Sequence, residues 1–150
     1  RRGLDEALEQ QVKAAQKTGA PLCVALLDLD DFKNLNDRLG HDAGDKALEH
    51  LVHVAKKIMR TQDQLARYGG EEFVFIKACR SGAEIHQLAQ GLMQQSSKTR
   101  ICHDDVTINI TYSIGVSSLC PHMTSQNFND LIAQADLALY IAKHEGKNQY

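Results

Sequence analysis

The strongest constraint on the fold is the run Leu22-Cys23-Val24-Ala25-Leu26-Leu27-Asp28-Leu29, apolar almost throughout and ended by acids. A strand that is apolar on both sides is stable only when both sides are covered. The run therefore reads as a buried central strand flanked on both faces. Asp28 sits at its C-terminal end. A carboxylate there is costly unless it is paired or binds a metal. Side chains alternate along a strand, so Asp28 and Asp30 point to one side if the strand persists that far. The other reading is an acidic strand-to-helix turn in which Asp30 or Asp31 caps the next helix.

The flanking segments have helical spacing. Leu4, Leu8, Val12 and Ala15 give an amphipathic helix over 3–18, stopped by Gly19 and Pro21. A short helix over 31–39 turns Phe32 and Leu35 inward, sets Lys33 and Asn36 near one face, and ends at Gly40. After a 40–44 loop, Leu48, Leu51, Val52, Ala55, Ile58 and Met59 stripe a helix from Asp45 to about Arg60, with Asp45 able to cap it. A helix over 81–95 opens on a capping box of Ser81 and Glu84. Thr107 to Ser117 reads as a strand interrupted near Gly115, 120–127 as loop, and Phe128 to His144 as a last helix ended by Gly146. Lys143 and Lys147 flank that end, where the helix dipole favours cations.

Between Leu65–Tyr68 and Phe73–Ile76 lies Gly69-Gly70-Glu71-Glu72. Two strand-like runs broken by Gly-Gly read as a β-hairpin whose turn needs φ > 0. The glycines let a large ligand approach the backbone, and the glutamates suit a hard divalent cation. A solvated acidic tip is the other reading. Strands mixed with helices in this order give a sheet with helices packed on it, α+β or α/β.

At 150 residues the chain suits one domain with a real core. A net charge of −2 excludes global attraction to nucleic acid or anionic membrane, so a polyanionic ligand needs a local site or metal ions. No apolar run spans a membrane and no signal peptide opens the chain. Cys23, Cys79, Cys102 and Cys120 form no Cys-x-x-Cys pair and read as thiols in a reducing cytosol.

These motifs, taken together, resemble the GGDEF domain of bacterial diguanylate cyclases. The hairpin has the Gly-Gly-Glu-Glu-Phe form of that signature, Gly69 to Phe73. Asp28-Leu29-Asp30-Asp31-Phe32-Lys33-Asn34-Leu35-Asn36-Asp37 is similar to the family's D-x-D-x-F-K-x-x-N-D segment, and Gly40-His41 with Gly44-Asp45 to its G-H-x-x-G-D. Ser113-Ile114-Gly115-Val116 and the segment from Ala135-Asp136 to Gly146-Lys147-Asn148 match its last strand and closing helix.

The resemblance implies a ferredoxin-like, polymerase-palm-type α+β fold. Its mixed, mainly antiparallel sheet of about five strands would be flanked by helices and carry a small hairpin. It implies condensation of two GTP into cyclic di-GMP with release of pyrophosphate, in a homodimer whose two sites face each other. Asp28, Glu71 and the Leu29 carbonyl would hold two Mg²⁺ ions, or Mn²⁺, with Glu72 beside them. Lys33, Lys143 and Lys147 would bind phosphate, Asn36 and Asp45 the guanine edge, with Phe32, Gly69 and Gly70 around the nucleotide. Arg60 and Asp63, an R-x-x-D with five residues between it and Gly69, match the family's inhibitory product site.

Lys147 stands where the family usually has Arg, which predicts weaker triphosphate binding. Glu71 in place of Asp is accepted by the family. The family's Asp-x-Leu-Thr segment is missing before Arg1-Arg2, so a single catalytic domain excised from a longer cytoplasmic or membrane-anchored protein, with an N-terminal sensor or dimerisation region, is expected. An inactive cyclic di-GMP receptor and a GTP-sensing module are the alternatives.

Overall fold

In the computed structural model, which describes residues 2–79, 83–98, 100–103, 105–119 and 127–150, strand β1 (Leu22–Leu29) is buried along its whole length. It pairs antiparallel with β3 (Glu72–Ala78) on one side and β6 (Tyr112–Leu119) on the other. β2 (Gln64–Arg67) completes the order β2-β3-β1-β6. Alternation then sorts the β1 side chains: Ala25, Leu27 and Leu29 enter one core, and Leu22, Val24 and Leu26 the other.

The first core lies under α2 (Phe32–Leu39), α3 (His41–Ile58) and α4 (Ala83–Lys98), whose Leu51, Val54, Leu88 and Leu92 meet Phe75 and Ile114. The second lies under α1 (Arg2–Thr18) and α5 (Phe128–His144), through Val12, Ala15, Leu131, Ala135 and Leu139. Each such large side chain taken from water contributes roughly 1.5–3 kcal/mol. Counting only the strands of this sheet, and α2 with α3 as one crossover, the path from β1 to β6 is β-α-β-β-α-β, the ferredoxin-like arrangement, as expected.

The sheet has four strands where about five were expected. Thr107 to Ser117 does not run as one strand. Val106–Ile108 (β5) pairs with Ile101–His103 (β4) as a separate ribbon, and only β6 joins the sheet. The chain leaves strand geometry over 109–111, and Thr111 continues the register of β6 against the end of β1. The Asp30 N–H donates to the Thr111 carbonyl at 3.0 Å, and the Thr111 hydroxyl donates to the Asp30 carboxylate at 2.7 Å. Gly115, the expected point of interruption, lies inside β6 opposite Leu26. A Cβ there would collide with the Ala135 carbonyl and the Leu139 main-chain nitrogen, so α5 rests directly on the strand backbone.

α3 starts at His41, earlier than Asp45, with Gly40 as its N-cap residue at φ 84°. Gly44 is helical, and Asp45 lies inside the helix, exposed, and does not cap it. α5 opens on a capping box: Asp130 N–H donates to Asn127 Oδ1, and Asn127 N–H to Asp130 Oδ2. The Ser81 cap and loop residues 120–126 lie outside the described residues. Among the described residues no helix is long and apolar enough to cross a membrane.

Gly115→Ala is expected to cost about 1–3 kcal/mol as overpacking. That lowers the melting temperature by roughly 2–4 °C per kcal/mol. An unchanged thermal melt would show that α5 can lift from β6 without loss.

Candidate active site

Four segments meet at one edge of the sheet: the end of β1, the bend between β2 and β3, the start of α2, and the turn after α5. The register opposes Asp28 to Glu72 on β3 and to Ser113 on β6, so Glu71 stands one residue beyond the paired region. Asp28 is 3% exposed. Its Oδ2 lies 2.7 Å from Lys143 Nζ, an ammonium carried in by the last turn of α5. Its Oδ1 is buried with no hydrogen-bond partner.

Burial pushes the Asp28 carboxyl above its ordinary value, the Lys143 hydrogen bond and charge oppose this, and the Asp30 charge adds to it. Glu71 is also pushed up, first by burial and then by the charge of Asp28, with Lys143 opposing. Two carboxyls both pushed up by burial, one raised further by the charge of the other and one with an orphaned oxygen, are a donor set that fits a hard divalent cation. Among the described residues no three His, Cys, Asp or Glu side chains form a metal cage. Two carboxylates with main-chain, phosphate and water oxygens are what Mg²⁺ ordinarily takes.

Asp30 does not join that pair. Its carboxylate accepts from the Thr111 and Ser113 hydroxyls, each at 2.7 Å, and from the Asn148 N–H at 3.0 Å. It ties β1 to β6 and to the C-terminal turn. Asp31 is the N-cap residue of α2 in the left-handed region, φ 56°, but its side chain caps nothing. Its carboxylate instead takes the Lys147 ammonium at 2.6 Å, which pushes the Lys147 pKa up. The first N–H groups of α2 are thus left without a side-chain acceptor, a ready place for phosphate oxygens. Lys33 is exposed on that first turn.

Asn36 and Asp45 stand on facing helices. Asn36 Oδ1 is buried without a partner, and a Cβ on Gly44 would overlap it. Gly44 therefore gives Asn36 its space at the cost of a glycine inside a helix, about 1 kcal/mol. Phe32 packs half-buried on the core beside the same glycine, its ring edge 3.1 Å from where a Gly44 Cβ would sit.

The hairpin corrects the sequence reading of its glycines. Neither Gly69 nor Gly70 has the positive φ expected of the turn. The bend is wider, closed by Tyr68 and Gly69 N–H groups that both donate to the Glu72 carbonyl, at 2.8 and 3.2 Å. A Cβ on Gly69 would lie 2.5 Å from Glu72 Oε2 and would push that carboxylate aside, while Gly70 faces open space. Arg67, which sequence reasoning passed over, braces the bend by donating from Nε to the Gly70 carbonyl at 3.0 Å. The Thr111, Ser113 and Asn148 donors were missed too, since contacts across some eighty residues or more leave no local pattern.

Arg60 and Asp63 are elsewhere. The length of β3, roughly 20 Å at about 3.3 Å per residue, separates them from Asp28. Asp63 has a fully buried side chain that accepts the Arg60 N–H at 2.8 Å, while the Asp63 N–H returns to the Arg60 carbonyl at 3.0 Å. The Arg60 guanidinium donates to the Ala78 carbonyl at 2.7 Å and sits 3.5 Å from Glu84, on the wall of a cleft of about 330 Å³. Arginine faces the cleft, and aspartate holds the turn that presents it.

A family model described as "Diguanylate cyclase, GGDEF domain" matches residues 1–149. Diguanylate cyclase A of Treponema denticola is 37% identical over 85% of this chain and 34% of its own length. Diguanylate cyclase DosC of Escherichia coli is 33% identical over 99% of this chain and 32% of its own. The chain spans about one third of the length of these curated relatives. The GGDEF domain of DgcB from Caulobacter crescentus, solved in complex with c-di-GMP, superposes with a TM-score of 0.91 at 28% identity, over 99% of this chain and 87% of that one.

Because a carboxyl pKa raised by burial marks an ionised form that the folded state disfavours, Asp28 contributes stability at low pH. That contribution is lost as pH climbs from the ordinary 3.8 through the raised value. Asp28→Asn is therefore expected to melt higher than wild type at neutral pH, with the gap closing toward pH about 4. A lower melt at every pH would mean that the Lys143 pair outweighs desolvation.

Proposed function

The chain belongs to the GGDEF domain family of diguanylate cyclases, and from that premise we propose that it condenses two GTP molecules into cyclic di-GMP with release of two pyrophosphates. The observation that carries this reading is the buried, orphaned Asp28 oxygen beside Glu71, at the mouth of an uncapped helix start. Asp28, Glu71 and the Leu29 carbonyl would hold two Mg²⁺ ions, with Mn²⁺ as substitute. When bound, these supply charge neutralisation at the α-phosphate and a more acidic 3′-hydroxyl.

The chain's own residues do the rest. The uncapped N–H groups of α2 and Lys33 receive the phosphates. Lys143 and Lys147, which rest on Asp28 and Asp31 without ligand, have phosphate oxygens as their alternative partners. Asn36 and Asp45 pair with the guanine edge, and a guanine donor satisfies the orphaned Asn36 Oδ1. Phe32 floors that space, and the open side of Gly70 admits the nucleotide. Glu72 lies against the Gly69 bend and fixes the height of Glu71.

One domain offers one such site, so ring closure takes two chains facing each other as a homodimer in the cytoplasm, brought together by an N-terminal region of the whole protein. Product returns to the Arg60 cleft, where the guanidinium receives a guanine edge or phosphate and Asp63 fixes the turn.

The test is cyclic di-GMP production from GTP and Mg²⁺ across protein concentrations. The rate is expected to rise faster than linearly, and Glu71→Ala to lower it on the order of 10²–10³-fold, as when a transition-state charge stabiliser is removed. A dimerised chain that binds GTP and forms no product would end the catalytic reading. Arg60→Ala is expected to weaken cyclic di-GMP binding by calorimetry about 10–100-fold, the loss of a charged hydrogen bond of about 1.5–3 kcal/mol. Unchanged affinity would remove the cleft as the product site.

A further inference from the structure

Two cysteines stand outside both sites. Cys23 lies in β1 opposite Lys77 of β3. Cys79 follows two residues later, and its N–H donates to the Pro21 carbonyl at 2.9 Å, extending the ladder past the end of the strand. A shift of two residues keeps both side chains on one face as diagonal neighbours. Both thiols are buried, 1% and 4% exposed, in a small cluster with Ile85 of α4. The Cys79 thiol donates to the Lys77 carbonyl at 3.6 Å, and the two thiols act on each other's ionisation. The neighbouring thiol and burial push the Cys23 thiol up, whereas the pairing with Cys23 brings the Cys79 thiol down, with Lys77 and Arg60 assisting and burial and Glu84 opposing. Cys79 is the readier thiolate of the two.

We propose that Cys23 and Cys79 form a redox-active pair that a peroxide converts to an intrachain disulfide across β1 and β3. The Cys79 thiolate attacks one peroxide oxygen. The O–O bond breaks, Cys79 becomes a sulfenic acid, and the leaving hydroxide takes a proton to become water. The Cys23 sulfur then attacks the sulfenic sulfur. The S–S bond forms, the S–O bond breaks, and the Cys23 proton leaves with the hydroxide as a second water. Two thiols have lost two electrons to one peroxide.

Diagonal neighbours across a sheet sit at roughly 7–8 Å between Cα atoms, and a relaxed disulfide spans about 4.4–6.8 Å. Closing the bond therefore draws the ends of β1 and β3 together. Strained disulfides are the readily reduced, regulatory ones. The residue before Cys79 is Ala78, whose carbonyl holds the Arg60 guanidinium. Oxidation shifts that anchor. This consequence, unlike the bond itself, rests on reading the Arg60 cleft as a product site.

The experiment treats the reduced, folded chain with a small excess of hydrogen peroxide, blocks remaining thiols with N-ethylmaleimide in denaturant, and maps peptides without reduction. A dithiothreitol-sensitive Cys23–Cys79 peptide is expected, with the exposed Cys102 as the measure of unassisted oxidation. Recovery of both Cys23 and Cys79 alkylated while Cys102 is oxidised overturns the pair. In Cys23→Ala, dimedone is expected to label Cys79; label absent there overturns the order of attack. Oxidised chain is expected to bind cyclic di-GMP several-fold more weakly than reduced chain, and equal affinity overturns the coupling. Reduced chain that binds none defeats the product-site reading and leaves the mapped disulfide standing.

Discussion

The Asp28 carboxylate has to be carried into the interior at the end of the central strand, where an uncompensated charge costs several kcal/mol. One oxygen is met by Lys143 from the far end of the chain, and the other is met by nothing. Around that deficit the neighbours are held still. Asp30 takes three donors, from Thr111, from Ser113 of β6 and from the turn after α5. Arg67 braces the bend that carries Glu71. The result is a charged edge whose scaffold is satisfied and whose working atoms are not, the pattern expected where ligand replaces water.

The same edge collects the backbone's unusual residues. Asp31, Lys147 and Asn148 are the non-glycine residues in the left-handed region among those described, at φ 56°, 62° and 49°. Such positions cost of order 1–3 kcal/mol each and persist where surroundings over-determine them. Here the surroundings are each other: Lys147 bonds Asp31, and the Asn148 N–H bonds Asp30. The turn after α5 is fixed by the loop after β1, and the reverse.

The sequence made β1 and α5 legible because their patterns are long and unbroken, eight buried residues in one case and a heptad-like stripe closed by Gly146 in the other. The convergence of Asp28 and Glu71 followed from a strand end beside a hairpin tip. What stayed hidden depended on contacts between distant residues. Gly44 reads locally as loop, yet it lies inside α3, where its missing side chain leaves room for Asn36. Gly69 and Gly70 read as turn formers, yet neither takes a positive φ, and a Cβ at Gly69 would meet only the end of the Glu72 side chain. Asp63 reads with Arg60 as a product contact, and its burial became visible only once α3 and β3 were packed together. Val106–Ile108 was too short to declare that its partner was β4 and not the main sheet.

Gly115 ties these observations to the precision of the edge. With no side chain between them, strand β6 and helix α5 touch backbone to backbone. β6 carries Ser113 and α5 carries Lys143, the groups that grip Asp30 and Asp28. Strand and helix are therefore held at one spacing by direct backbone contact. The tolerance to which a carboxylate some eighty residues upstream is aligned is set by the absence of a single methyl group.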